Sequence, residues 1–218
     1  MKIKTLKEFT YTAHTGCMGT KENSLESIDV GVGNGAQIIE FDVQYYNGVP
    51  VLSHDAPNGD EITLEEAFLK VKEFDNLKVN VDIKSVEHIS AVKAVAEKTE
   101  VLDRIFFTGI HDGFVAAVKK DSPGIDYYLN VKVDPPRKQT DEYLNSLVEK
   151  VRDCGAIGIN FNKKSATKKL VEVFHNNGLL VSIWTVNGSF KMRKILSFSP
   201  DNITTRRPDK MKKVLKGE

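Results

Sequence analysis

Along the chain, short runs rich in β-branched and aromatic residues alternate with stretches of helical periodicity. The runs Phe9–His14, Gln37–Val43, Leu77–Lys84, Arg104–Thr108, Ile125–Val131, Ala156–Phe161, Leu179–Val186 and Asn202–Thr205 read as strands. Several are almost continuously apolar, the pattern of parallel strands covered on both faces. Another short strand, Val49–Ser53, follows Asn47-Gly48. Asn-Gly is a strong turn signal, so Val43–Ser53 is expected to form a small hairpin on the end of the second strand. Helices are predicted over Ser24–Gly33, Leu64–Glu73, Ser85–Thr99, His111–Lys120, Thr140–Cys154, Ser165–Asn177, Ser189–Leu196 and Asp209–Lys216. Asn23 with Glu26, and Thr63 with Glu66, have the spacing of capping boxes, and Asn177-Gly178 marks a helix stop. Eight strand–helix units in strict alternation predict a parallel sheet closed as a (β/α)8 TIM barrel, with the hairpin as an ornament after strand two. A doubly wound open sheet is the alternative. No linker or repeat divides the chain, so residues 1–218 read as one domain.

Composition narrows the function classes. Of 218 residues, 31 are Lys or Arg and 30 are Asp or Glu, a net charge of +1 that argues against a nucleic-acid binder. With 40% hydrophobic residues there is ample material for a core. No stretch approaches the roughly 18 apolar residues of a spanning helix, and the start MKIKTLKEFTYTAH is too polar for a signal peptide. Cys17 and Cys154 offer neither a disulfide framework nor metal-type spacing. These features together read as a cytoplasmic enzyme or binding protein without stable membrane insertion. The balance hides an asymmetry: residues 22–75 carry twelve acids against two bases, whereas residues 191–218 carry nine bases against three acids. Most of that charge is expected on solvated helix faces.

In a barrel the reactive groups sit at the C-terminal ends of strands. Those ends read His14-Thr15-Gly16, Glu40-Phe41-Asp42, Ser53-His54-Asp55, Asp82-Ile83-Lys84 and Trp184-Thr185-Val186-Asn187. Residues at i and i+2 share a strand face, so Glu40 points with Asp42, and Asp82 with Lys84. Two carboxylates side by side near a core are costly unless a cation lies between them. A divalent metal would answer that need, and oxygen-only ligation favours Mg²⁺ or Ca²⁺ over Zn²⁺. The alternative is a pair of half-exposed acids at the rim. His14 and His54 can serve as proton acceptor and donor, although a lone histidine at a strand end is more often structural. Lys84 can neutralise a substrate anion or simply pair with Asp82.

The segment AHTGCMGTKENSLESIDVGVGNGAQIIEFDVQYYNGVPVLSHD (13–55) resembles the signature of glycerophosphodiester phosphodiesterases. That signature runs His-Arg-Gly, Pro-Glu-Asn-Thr, a helix, Gly-Ala-Asp-x-Ile-Glu-x-Asp-Val, then Asp-Gly-x-Pro-Val-x-x-His-Asp. VNVDIK (79–84), VSIWTVN (181–187) and NITTRRPD (202–209) resemble the family's strands three, seven and eight. The resemblance implies a (β/α)8 barrel that hydrolyses a small glycerophosphodiester to glycerol 3-phosphate and an alcohol, in lipid and glycerol metabolism. By position it makes His14 and His54 the acid–base pair and Glu40, Asp42 and Asp82 the ligands of Mg²⁺ or Ca²⁺. Lys84, Trp184 and Thr15 fall at substrate-contacting positions. A lysophospholipase-D-like activity, or a weakly active binding barrel, is the alternative.

Three departures stand out. Thr15 replaces the arginine of His-Arg-Gly and cannot clamp a phosphate with parallel donors. Asp82 is one methylene shorter than the usual Glu. The short run from His54 to Thr63 predicts a more open pocket in a chain that is brief for a fold typically needing about 250 residues. Arg206-Arg207 beside the last strand can bind phosphate, although a solvated pair is the stronger expectation; Asn160 and Asn162 either line the mouth or serve in caps and turns; His88, His111 and His175 read as helical or peripheral. Cys17 is given no nucleophilic role.

Overall fold

The computed structural model describes residues 9–218; residues 1–8, over which much of the polar start extends, lie outside it. The strands are β1 (Thr10–Ala13), β2 (Ile38–Tyr46), β3 (Val49–Leu52), β4 (Lys78–Ile83), β5 (Ile105–Ile110), β6 (Tyr127–Asn130), β7 (Gly158–Asn162), β8 (Leu180–Trp184) and β9 (Asn202–Thr205). The helices are α1 (Leu25–Gly33), α2 (Leu64–Lys72), α3 (Ile89–Lys98), α4 (Asp112–Asp121), α5 (Asp141–Cys154), α6 (Lys168–Asn176), α7 (Ser189–Leu196) and α8 (Pro208–Leu215). Strand order runs β1-β9-β8-β7-β6-β5-β4-β2, and the β1–β2 pairing closes the ring. The closing register sets Thr12 against Ile38 and Ala13 against Ile39. All ring pairings are parallel, whereas β3 pairs antiparallel with β2 as the expected hairpin. The fold is therefore a closed (β/α)8 barrel, and the open-sheet alternative is excluded.

Most element ends fall within a few residues of the sequence reading. The Thr63–Glu66 capping box is present in full. The other expected cap differs: Ser24, not Asn23, caps α1, its side chain accepting from Ser27 N. Asn23 instead has φ 55° and turns its amide toward Asp42. Helix α3 begins at Ile89 rather than Ser85, because Ser85–His88 forms the turn out of β4.

The apolar runs conceal a two-faced arrangement. On β2, the outward residues Ile39, Phe41 and Val43 join Val79, Val81, Phe107, Ile159, Phe161, Val181 and Ile183 in the main core, beneath the helices. Their inward neighbours are largely polar. Thr12, Ser182 and Asn202 share hydrogen bonds inside the barrel, as do Asn80 with Thr108 and Asn130 with Asn160. Buried polar groups are tolerated when each finds a partner, and here one strand supplies the partner for the next. This polar interior leads up to the acidic strand ends.

Candidate active site

Four neighbouring strands, β9, β1, β2 and β4, carry the site. At the end of β1, His14 Nδ1 lies 3.0 Å from Thr15 O and 3.6 Å from Glu40 Oε2. Glu40 and Asp42 are both buried, and the Thr15 N–H donates to Glu40 Oε2 at 2.9 Å. Asn23 brackets Asp42: its Nδ2 donates to Asp42 Oδ2 at 3.1 Å, and its Oδ1 accepts from the Asp42 N–H at 3.0 Å. On β4, Asp82 accepts from the Thr108 hydroxyl at 2.7 Å. Lys84 Nζ bridges the two aspartates, 2.8 Å from Asp42 Oδ1 and hydrogen-bonded to Asp82 Oδ2.

One oxygen from each of Glu40, Asp42 and Asp82 falls within a mutual span of 4.8 Å. Oxygens no farther apart than this can reach a single hard divalent ion at bond lengths of roughly 2.0–2.6 Å. The acids are also oriented before any ion arrives, by Thr15 N, Asn23 and Thr108. The donor set therefore fits a hard divalent cation. Burial pushes the Glu40 carboxyl up to about 7; His14 opposes the rise, and Asp42 and Asp82 reinforce it. Lys84 is driven the other way from a buried amine: burial lowers its pKa, but Asp82 and Asp42 outweigh that and raise it. The sequence-level pairing of Lys84 with Asp82 is thus present, with Asp42 as a second partner.

Above these groups opens a cavity of about 440 Å³, lined by His14, His54, the three carboxylates, Lys84 and Trp184 among others. His54 stands at the rim, 62% exposed, with Nδ1 2.9 Å from Asp55 Oδ1. Trp184 also borders an adjoining cavity of about 410 Å³ with Asn130, Asn160 and Lys132. Gly109 explains part of the geometry. It holds φ 77°, and a Cβ there would lie 2.3 Å from Ile83 O and 2.9 Å from Asp82 Oδ1. Only glycine lets β5 pass that close to the acid.

Of the expected site residues, His14, His54, Glu40, Asp42, Asp82, Lys84 and Trp184 share the cavity; Thr15 does not. Thr15 is 1% exposed, and its hydroxyl accepts from the Asn23 N–H at 2.5 Å, so it braces the loop instead of facing a ligand. Other expectations shift as well. Arg206 is partly exposed yet lines the cavity, whereas Arg207 turns away to grip Asp209 at 2.7 and 2.8 Å. Asn162 both caps a turn and borders the adjoining cavity, and Asn160 reaches both cavities. His111 caps α4 and also borders the cavity. Burial raises the Cys17 thiol pKa, consistent with an inert role. The signal for Asn23 was its place in Lys21-Glu22-Asn23, aligned with Pro-Glu-Asn. Thr108 and Gly109 carried no signal, because β5 approaches Asp82 only once the ring closes.

The chain's relatives bear on the same question. The model of the glycerophosphoryl diester phosphodiesterase family matches residues 10–78 and 57–210. A glycerophosphodiester phosphodiesterase of Bacillus altitudinis is 27% identical over 158 residues, covering 69% of this chain and 61% of that protein, so the match spans less than two thirds of the relative. Among solved structures, an Oleispira antarctica phosphodiesterase in complex with the product sn-glycerol-3-phosphate superposes with a TM-score of 0.81 at 18% identity, covering 95% of this chain and 96% of that one. The glycerophosphodiester phosphodiesterase of Thermotoga maritima gives 0.74 at 21% identity over 93% and 96% of the two chains. Those two likenesses establish the barrel. The family model, running through the residues that build it from β1 to α8, establishes membership: the chain belongs to the glycerophosphoryl diester phosphodiesterase family.

Proposed function

We propose that the protein hydrolyses a glycerophosphodiester to glycerol 3-phosphate and an alcohol, with a divalent cation held by Glu40, Asp42 and Asp82. The observation that carries this reading is the carboxylate triad within 4.8 Å, set in one cavity with His14 and His54. The oxygen-only donor set favours Mg²⁺ or Ca²⁺. Such an ion, when bound, stabilises charge on the phosphoryl oxygens and lowers the pKa of a coordinated hydroxyl.

The protein's own groups supply positioning and proton transfer. Thr15 O lies 3.0 Å from His14 Nδ1 and also 3.2 Å from Arg206 Nε; in the tautomer with both N–H groups directed to that carbonyl, Nε2 is the basic nitrogen, able to take the proton of the attacking hydroxyl. Asp55 Oδ1, 2.9 Å from His54 Nδ1, orients the second ring so that Nε2 can serve the departing alkoxide. We assign His14 as the base and His54 as the acid. Trp184 lies between the two cavities and lines the path of the leaving alcohol. Among the described residues no helix is long and apolar enough to cross a membrane. We place the reaction in the cytoplasm, on small soluble diesters.

The test is glycerol 3-phosphate release from glycerophosphocholine or glycerophosphoethanolamine with Mg²⁺, with Ca²⁺ or with EDTA. Release should require the metal, and His14→Ala or His54→Ala should lower kcat by about 10²–10⁴-fold, the usual worth of a positioned acid or base. No release from a panel of such diesters under any metal would defeat the reading. Full activity in Asp42→Ala would defeat the metal assignment.

A further inference from the structure

We propose that Arg206, at the end of β9, is the guanidinium that grips the anionic phosphate in the cavity. It would thereby supply the contact that Thr15 cannot make.

Charge within the cavity leads to this assignment. Among the described residues, four carboxylates, Glu22, Glu40, Asp42 and Asp82, line the space with two permanent cations, Lys84 and Arg206. The Lys84 ammonium is committed to Asp42 and Asp82. Arg206 is less engaged. Its Nε stands 3.2 Å from both Thr15 O and His14 Nδ1, and its Nη2 donates to Glu22 Oε1 at 2.5 Å. A guanidinium has five N–H donors. The Nε–H and one Nη2–H serve these contacts; the remaining three, including both on Nη1, have no partner among the described residues. The side chain is 41% exposed at the cavity, so these donors are reachable.

Anchoring by Thr15 O and Glu22 holds the guanidinium before a ligand arrives, which reduces the rotamer entropy lost on binding. Placement agrees. In the ring order β9–β1–β2–β4, Arg206 follows β9 and Lys84 follows β4, with Glu40 and Asp42 on β2 between them. An anion resting over Glu40 and Asp42 would meet the Arg206 guanidinium on the β9 side. Arg207, one residue later, has both its Nε and Nη2 on Asp209 and does not line the cavity.

The identity of the anion as a phosphodiester rests on the function proposed above, so binding and turnover are read separately. Isothermal titration with inorganic phosphate and with glycerol 3-phosphate, in the presence of Mg²⁺, would compare the wild type with Arg206→Gln, Arg206→Lys and the control Arg207→Gln. Circular dichroism would confirm folding. Loss of a charge-assisted contact should weaken both ligands about 10- to 100-fold in Arg206→Gln. KM should rise in parallel. Arg206→Lys should fall in between, and Arg207→Gln should match wild type. A lower melting temperature with unchanged phosphate affinity would make Arg206 a brace for Glu22 and overturn the proposal. So would a fall in kcat with phosphate affinity and KM unchanged, which would mean action only through His14, or a wild type that binds neither ligand. If phosphate binding depends on Arg206 but no diester is cleaved, the proposed function fails while the anion site stands.

Discussion

Lys84 is the informative residue for the electrostatics of this barrel mouth. Its ammonium lies 2.8 Å from Asp42, which is only 3% exposed, and it also bonds Asp82, while the lysine itself is 21% exposed. At an effective dielectric of about 20, the Asp42 contact alone amounts to roughly 6 kcal/mol of gross attraction. Much of that offsets the desolvation of the ammonium. Removing one partner of such a pair costs about 3–5 kcal/mol, because the remaining charge stays buried and unpaired. Lys84→Met keeps the length of the stem and deletes the charge. In EDTA it should destabilise the protein by about 3 kcal/mol. For a chain of this size that is a drop of about 6–12 °C in melting temperature. A divalent ion replaces the missing charge, and ligand that binds only the folded state stabilises in proportion to the logarithm of its concentration over Kd. Excess Mg²⁺ or Ca²⁺ should therefore raise the melting temperature of the variant more than that of the wild type. The assay is a thermal or guanidinium melt of both proteins, with and without metal. Equal stability in EDTA, or a larger metal shift in the wild type, would refute the idea that Lys84 and the metal answer the same buried charge.

Two further outcomes follow from local geometry. Gly109→Ala places a methyl 2.3 Å from Ile83 O and 2.9 Å from Asp82 Oδ1 at φ 77°; it should cost more than about 1 kcal/mol and weaken metal affinity by displacing Asp82, both read by melts with titrated Ca²⁺. Thr63→Ala removes the capping box of α2 and should cost about 1 kcal/mol in urea unfolding. The Glu66 carboxyl is held below its ordinary range, first by the Thr63 hydroxyl and then by the Thr63 N–H. A depressed acid contributes stability above its unfolded pKa of about 4.3 and loses it as pH falls through the folded value. The gap between wild type and Thr63→Ala should accordingly narrow below pH 4 or so, and a gap constant down to strongly acid pH would contradict the role given to Glu66.

Much of this protein was legible before any coordinates. The alternation of strand and helix signals required a parallel sheet, and their number matched a closed ring. The i, i+2 spacing of Glu40 with Asp42, and of Asp82 with Lys84, put each pair on one face because a strand repeats every two residues. Those are local rules, and local rules survive in sequence. Three matters escaped them. The apolar runs implied strands buried among apolar groups on both faces, whereas the inward face is a hydrogen-bonded belt of Asn, Thr and Ser. Each member of that belt finds its partner on a neighbouring strand, often more than twenty-five residues away, as Thr108 does on Asn80. Arg206 and Arg207 looked alike in sequence, and only the β9–β1 pairing sent one toward His14 and left the other on Asp209. Thr15 stood where a ligand-facing residue was expected, but its hydroxyl lies under Asn23, and that could be known only once the loop after β1 had folded onto β2. Chain-local periodicity thus determined the barrel and the acids' shared faces. Ring closure, which brings the first and last strands together, decided which side chains meet in the cavity.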